Sequence, residues 1–153
     1  MINVDANFDE LDGKIVREYL GDARLSCREV AKRIGTSTAT VLSRLRKLEK
    51  EGIIKGYAVT LDHEKLGYSI TAITDVSVSG GRLIEMEQEI ARLSNTLAVY
   101  DVTGDIDAII VSKFKNMDEL STFTKKLLAL PYVERTNTHI VLTSVKEDFR
   151  LMP

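Results

Sequence analysis

The 153-residue chain holds one cysteine and two histidines. A single thiol, Cys27, cannot close an internal disulfide, and no nearby residue gives it a metal-binding or nucleophilic partner, so a packing residue and a redox-active thiol are the readings open for it. His63 and His139 stand far apart, and HExxH, CxxC, a phosphate loop and a nucleophile elbow are all missing. An acid–base or metal cluster would have to be assembled from Asp101, Asp105, Asp107 and His139, and strand alternation would scatter Asp101 and Asp107. Catalysis is therefore not the expected activity, and neither a metal nor a cofactor is expected. Long apolar runs are missing as well. No stretch approaches the roughly 18 residues of a membrane span, and MINVDANFDELDG has neither the basic nor the apolar region of a signal peptide. These absences point to a cytoplasmic chain without a membrane partner.

Excess positive charge is the next thing the chain lacks: its formal net charge is -2 and its pI is about 5.7. Averaged over the chain, that balance offers nucleic acid nothing. The average hides a pattern. Residues 1–22 carry a balance of -4, residues 24–55 hold nine basic against three acidic side chains for +6, and residues 56–153 return to -4. A local basic block is an electrostatic footprint even in an acidic protein. The hydrophobic fraction of 44% and charged fraction of 29% are those of a globular chain and exclude disorder.

The first third of the chain reads as three helices, and the basic block covers the second and third. Asp9 caps the first, with Leu11, Ile15, Tyr19 and Leu20 at helical spacing and Gly21-Asp22 at its end. Ser26 and Glu29 form a capping box for a second, with Val30, Ala31 and Ile34 inward, and Gly35 stops it. Ser37 caps a third that runs to about Glu51, before Gly52. Two helices joined by a short glycine turn make a helix-turn-helix. On the third helix Val41, Leu45 and Leu48 share one face, with Leu42 at its margin, while Thr40, Ser43, Lys47 and Lys50 oppose them, flanked by Arg44 and Arg46. Ser37, Thr38, Thr40 and Ser43 are the candidates for base edges and the helix N-terminus, and Arg44, Arg46, Lys47 and Lys50 for phosphates. A solvated amphipathic helix that merely carries charge is the alternative. IIKGYAVTL reads as two short strands bent at Gly56, a wing, with Lys55 beside the DNA backbone.

The domain boundaries expected are 1–56 for the helix-turn-helix, 57–69 for a linker strand and hinge pivoting at Gly67, and 70–153 for a second domain. In that domain ITAITDVSV reads as a strand broken by Ser79-Gly80-Gly81. RLIEMEQEIARL is a helix, LAVYDVT and IDAIIVSKF are a hairpin turning at Gly104-Asp105, MDELSTFTKKLLAL is a helix ended by Pro131, and VERTNTHIVLTSV is a last strand. The order βαββαβ is that of a ferredoxin-like α+β domain, whose helices cover one sheet face. Apolar groups on both strand faces place a second subunit on the other face.

Taken together, the chain resembles the Lrp/AsnC (feast/famine) family of transcription regulators over nearly its whole length. Ser37, Val41, Arg44, Leu48, Glu49, Gly52, Ile53, Ile54 and Gly56 fall in the pattern of that family's DNA-binding domain. VTGDIDAIIVSKF and the pair Thr136 and Thr138 resemble its ligand-sensing RAM domain. The resemblance implies sequence-specific binding of double-stranded DNA, homodimers assembling to octamers, and a small amino-acid effector bound between dimers. It places the effector at Gly104, Asp105, Ile106 and Asp107, with Tyr100, Val102, Thr136 and Thr138 as walls. A carboxylate would take the ligand's ammonium, and glycine would let backbone N–H groups approach its carboxylate. Ile106 departs from the aromatic residue common in the family. Read from spacing alone, Asp105 and Asp107 equally suit a capped hairpin turn. The alternative function is an amino-acid-sensing oligomer that acts through protein partners without DNA.

Overall fold

A computed structural model describes residues 8–79, 81–151 and 153; Asp5 of the acidic opening and Gly80 of the expected strand break lie outside them. The chain divides into two compact units. One comprises the residues up to Thr60 with the tail from Glu147, and the other is Leu61–Lys146.

The first unit contains α1 (Glu10–Gly21), α2 (Cys27–Ile34) and α3 (Thr38–Lys50). Side-chain caps set the start of each helix. The Asp9 carboxylate accepts the Asp12 N–H at 2.9 Å while Asp12 accepts the Asp9 N–H at 3.2 Å, and Ser26 and Glu29 repeat the reciprocal arrangement on α2. Gly35 ends α2 at φ 72°, a left-handed conformation that glycine adopts without a Cβ penalty, and its N–H donates to the Ala31 carbonyl. The core is Ile15, Tyr19, Val30, Ala31, Val41 and Leu48, and full burial of each large member contributes roughly 1.5–3 kcal/mol. After α3, Ile53 and Ile54 donate N–H groups to the Leu48 carbonyl and pack on this core. The expected strand pieces around Gly56 do not pair into a ladder, because among the described residues this unit holds no strand to receive them. In the tail, Arg150 donates to the Leu20 carbonyl and Arg17 to the Pro153 carbonyl, each at 3.1 Å.

The second unit is β1 (Ile70–Val78), α4 (Leu83–Ile90), β2 (Thr96–Asp101), β3 (Ala108–Phe114), α5 (Met117–Leu128) and β4 (Val133–Ile140). Its sheet has the order β2-β3-β1-β4 with every neighbouring pair antiparallel, the ferredoxin-like arrangement. Ala72, Val76, Ala108, Ile110 and Phe114 on one face pack against Met86, Ile90, Leu120, Phe123 and Leu127. Alternation sends Ile73, Ile109 and Val111 to the other face, half-buried. The last strand is shorter than its sequence suggests. β1 begins at Ile70, and the ladder's last bond is from the Val141 N–H to the Thr71 carbonyl. Residues beyond have no strand beside them, and Leu142 and Val145 are each 96% exposed.

Candidate nucleic-acid interface and effector loop

α3 presents a face different from the one its helical wheel suggests. Thr38, Ala39, Leu42, Ser43, Arg46, Glu49 and Lys50 are exposed, and at about 100° per residue they occupy one contiguous arc. Of the eight candidates, Thr38, Ser43, Arg46 and Lys50 lie on this arc. Ser37 and Thr40 are engaged with each other: the Ser37 hydroxyl accepts the Thr40 N–H at 3.0 Å and the two hydroxyls are 2.8 Å apart.

Arg44 and Lys47 turn instead toward α1. Arg44 Nη1 lies 2.5 Å from Asp9 Oδ2 and 3.2 Å from Asp12 Oδ1, and Lys47 Nζ lies 2.9 Å from Asp12 Oδ2. The Asp12 side chain is fully buried. A buried carboxylate requires compensating charge and hydrogen bonds, and this one has two cations and a backbone N–H. Both basic residues thus sit in an ion-pair cluster that fastens α3 to α1, off the exposed arc. Their expected phosphate role has a competing, structural occupant.

The Asp12 N–H, and after it the Arg44 guanidinium, hold the Asp9 carboxyl below its ordinary value of 3.8. Ser26, first through its backbone N–H, holds the Glu29 carboxyl below its ordinary 4.5. A depressed folded value means stability that is complete above the ordinary value and lost as pH falls through the lowered one. The melting temperature of the wild-type chain is therefore expected to decline on acidification below about pH 4.5. The decline should be shallower in Asp9→Asn/Glu29→Gln; an identical decline in that variant would assign the acid sensitivity to other groups.

Two exposed cations one turn apart on α2, Arg28 and Lys32, were not among the candidates. Among the described residues neither enters an ion pair, whereas Arg24, Arg33 and Lys14 pair with Asp22, Glu18 and Glu10. Their i, i+4 spacing within the basic block is the signal that would have found them.

In the second unit the β2–β3 turn exposes Thr103, Gly104 and Asp105, with Gly104 at φ 127°. Asp105 and Asp107 differ. Asp107 Oδ2 accepts the Val78 N–H at 2.7 Å, where the β1–β4 register shifts, and its backbone bonds both Val76 and Val102. Asp107 thus braces the turn, while the Asp105 carboxylate lies at the surface. Val102 and Ile106 are half-buried beside it.

The remaining wall candidates do not gather around this turn within one chain. Tyr100 lies on edge strand β2, opposite the core-facing Val99. Thr136 and Thr138 lie on the other edge strand, and the Thr138 hydroxyl is 3.1 Å from that of the buried Thr74, on the helix-covered face. Three strand spacings, roughly 14 Å, separate the two edges. The acid–base constellation is likewise unassembled: His139 on β4 pairs with Asp75 at 3.1 Å, far from Asp101 on β2. Among the described residues no group of three His, Cys, Asp or Glu side chains is placed to hold a metal ion, and no helix is long and apolar enough to cross a membrane.

A helix-turn-helix reader in the same chain as a ferredoxin-like sensing domain defines a class of DNA-binding transcriptional regulators. Residues 8–55 match the winged helix-turn-helix DNA-binding family, and residues 71–151 match the Lrp/AsnC ligand binding domain. The chain belongs to the Lrp/AsnC family of transcriptional regulators. It is similar to an uncharacterized HTH-type transcriptional regulator of Pyrococcus abyssi, 44% identical over 95% of this chain and 99% of the relative. It is 36% identical to the HTH-type transcriptional regulator FL11 of Pyrococcus horikoshii, over 94% of this chain and 95% of that one. Among solved structures it resembles a transcriptional regulator of Neisseria meningitidis in complex with L-Met. That match has a TM-score of 0.88 and 27% identity, over 94% of this chain and 95% of the other.

Proposed function

We propose that the chain binds specific double-stranded DNA through the exposed arc of α3, and that a small amino acid held at the β2–β3 turn modulates this binding. The observation that carries the reading is the arc itself. Thr38 and Ser43 near a helix N-terminus supply hydrogen-bonding groups at base-edge range, and Arg46 and Lys50 farther along supply phosphate contacts. Arg28, Lys32 and Lys55 extend the cationic surface available to the backbone. Within the expected set, Ser37, Thr40, Arg44 and Lys47 fix the helix that the others use.

The chain acts in the cytoplasm as a homodimer that assembles further, to an octamer, on repeated or palindromic sites. Two copies of α3 then meet successive major-groove faces about 34 Å apart or a multiple of that. The L-Met complex of the Neisseria relative supports an amino-acid effector here. At the turn Asp105 takes the ammonium group, Gly104 admits backbone N–H donors to the carboxylate, and Val102 and Ile106 meet the side chain. Tyr100, Thr136 and Thr138, on opposite sheet edges, join such a site only when more than one copy contributes, which supports the reading of a site between dimers. Asp107 holds the turn in shape. The effector acts by binding one assembly more tightly than another, since a ligand shifts an equilibrium only by its differential affinity.

Selection of bound duplexes from a random pool, with and without a panel of amino acids and read alongside particle mass, tests partner, effector and assembly together. Recovery of no preferred duplex would end the DNA reading. Asp105→Ala is expected to abolish the amino-acid response, by tenfold or more in effector affinity for loss of a charged hydrogen bond, with DNA affinity retained. Loss of DNA binding in that variant would make the turn structural.

A further inference from the structure

We infer that Leu42, with Ala39 beside it, reads the 5-methyl group of a thymine in the major groove. The inference rests on the DNA-binding reading above and names a specificity contact within it. Leu42 is 39% exposed and takes no part in the core of its unit, whereas Leu45 and Leu48 on the same helix pack into or against that core. Its place on the helix explains why an apolar side chain is left there. Ala39 and Leu42 fall in the first half of α3, the part of a recognition helix that meets base edges. Both lie on the arc that holds Ser43, Arg46 and Lys50. Cations on that arc bring it against phosphates, and the groove then offers an aliphatic group one kind of apolar partner. Guanine, cytosine and adenine present donors and acceptors in the major groove, and thymine alone adds a methyl group. A leucine facing any other base edge would desolvate a polar group without a partner. The neighbouring Ser43 hydroxyl, which can donate or accept, tolerates either base beside the thymine.

The test uses the full chain and the duplex it selects from a random pool, with each thymine of a half-site replaced singly by deoxyuridine, which lacks only the methyl. One position per half-site is expected to weaken wild-type binding roughly fourfold, the scale of one buried methyl group. Leu42→Ala should bind the thymine duplex more weakly and lose the discrimination at that position. Leu42→Met should retain part of it, and neither variant should change melting temperature. The inference is overturned if no replacement weakens binding, if the selected half-site holds no thymine, if Leu42→Ala still discriminates, or if Leu42→Ala lowers the melting temperature and so acts in packing. A wild-type chain that prefers no duplex defeats the DNA-binding reading itself, a result distinct from all of these.

Discussion

Replacing Asp12 with alanine is expected to destabilise the helix-turn-helix unit by about 2–4 kcal/mol. The side chain is fully buried and receives Lys47 at 2.9 Å, Arg44 at 3.2 Å and the Asp9 N–H at 3.2 Å. Alanine removes half of the α1 capping box, an interaction worth about 1 kcal/mol, and takes the buried carboxylate away from Lys47 and Arg44, leaving Arg44 paired with Asp9. The Arg44 and Lys47 side chains keep 32% and 25% of their exposure, so water relieves part of the penalty. The loss therefore falls at the lower end of what breaking a fully buried pair costs. For a unit of this size each kcal/mol moves the midpoint by roughly 4–8 °C, which predicts a drop of about 10–30 °C. Circular dichroism melting, with hydrogen exchange of the α3 amides to localise the effect, measures it. Asp12→Asn, which keeps the acceptor and removes the charge, should fall between alanine and wild type. A midpoint within a degree of wild type in Asp12→Ala would show that the cluster is incidental.

The same cluster shows where sequence reasoning stops. Helix starts were legible because caps act within one turn: Asp9, the Ser26–Glu29 box and Ser37 are read from local sequence. The βαββαβ order was legible because each element changes the period of its apolar residues. A helical wheel locates the side opposite Val41 and Leu48 but not what another helix places beside its flank. The partners of Arg44 and Lys47 lie 32 to 35 positions earlier in the chain. Leu42 was set at the edge of the buried stripe for the same reason: its angle is intermediate, and only the actual packing decides which way it faces.

In the second unit the illegible features all belong to strand partners. The end of β4 is dictated by where β1 begins. Asp105 and Asp107 are two like residues on one turn by sequence. They are distinguished by the end of the β1–β3 ladder at Val76 and Ala108, beyond which the Val78 N–H donates to the Asp107 carboxylate. Tyr100 and the Thr136–Thr138 pair, which the resemblance groups at one site, lie on opposite edges of the sheet, a separation that only strand order reveals.

Arg46→Ala and Lys50→Ala are each expected to flatten the salt dependence of DNA binding, whereas Arg44→Ala and Lys47→Ala leave its slope near wild type. Each phosphate neutralised adds about 0.9 to the slope of log K against log salt, because bound counterions are released. In the proposed dimer, with two α3 helices engaged, one substitution removes two contacts and about 1.8 from the slope. The double variant Arg46→Ala/Lys50→Ala should lose roughly a hundredfold in affinity near physiological salt, with melting temperature unchanged. Arg44 and Lys47 already neutralise Asp9 and Asp12, so their positive charge is largely cancelled toward DNA at Debye-length range. Their removal acts on the pose of α3, lowering affinity at all salt concentrations alike and lowering the melting temperature with it. Filter binding or fluorescence anisotropy from 50 to about 300 mM salt separates the two behaviours. An Arg44→Ala slope as shallow as that of Arg46→Ala would mean that the pair with Asp9 opens on the DNA and that Arg44 transfers from carboxylate to phosphate. In that case α1 would act as a stand-in for the nucleic acid in the free protein, and Asp9→Asn would bind DNA more tightly than wild type.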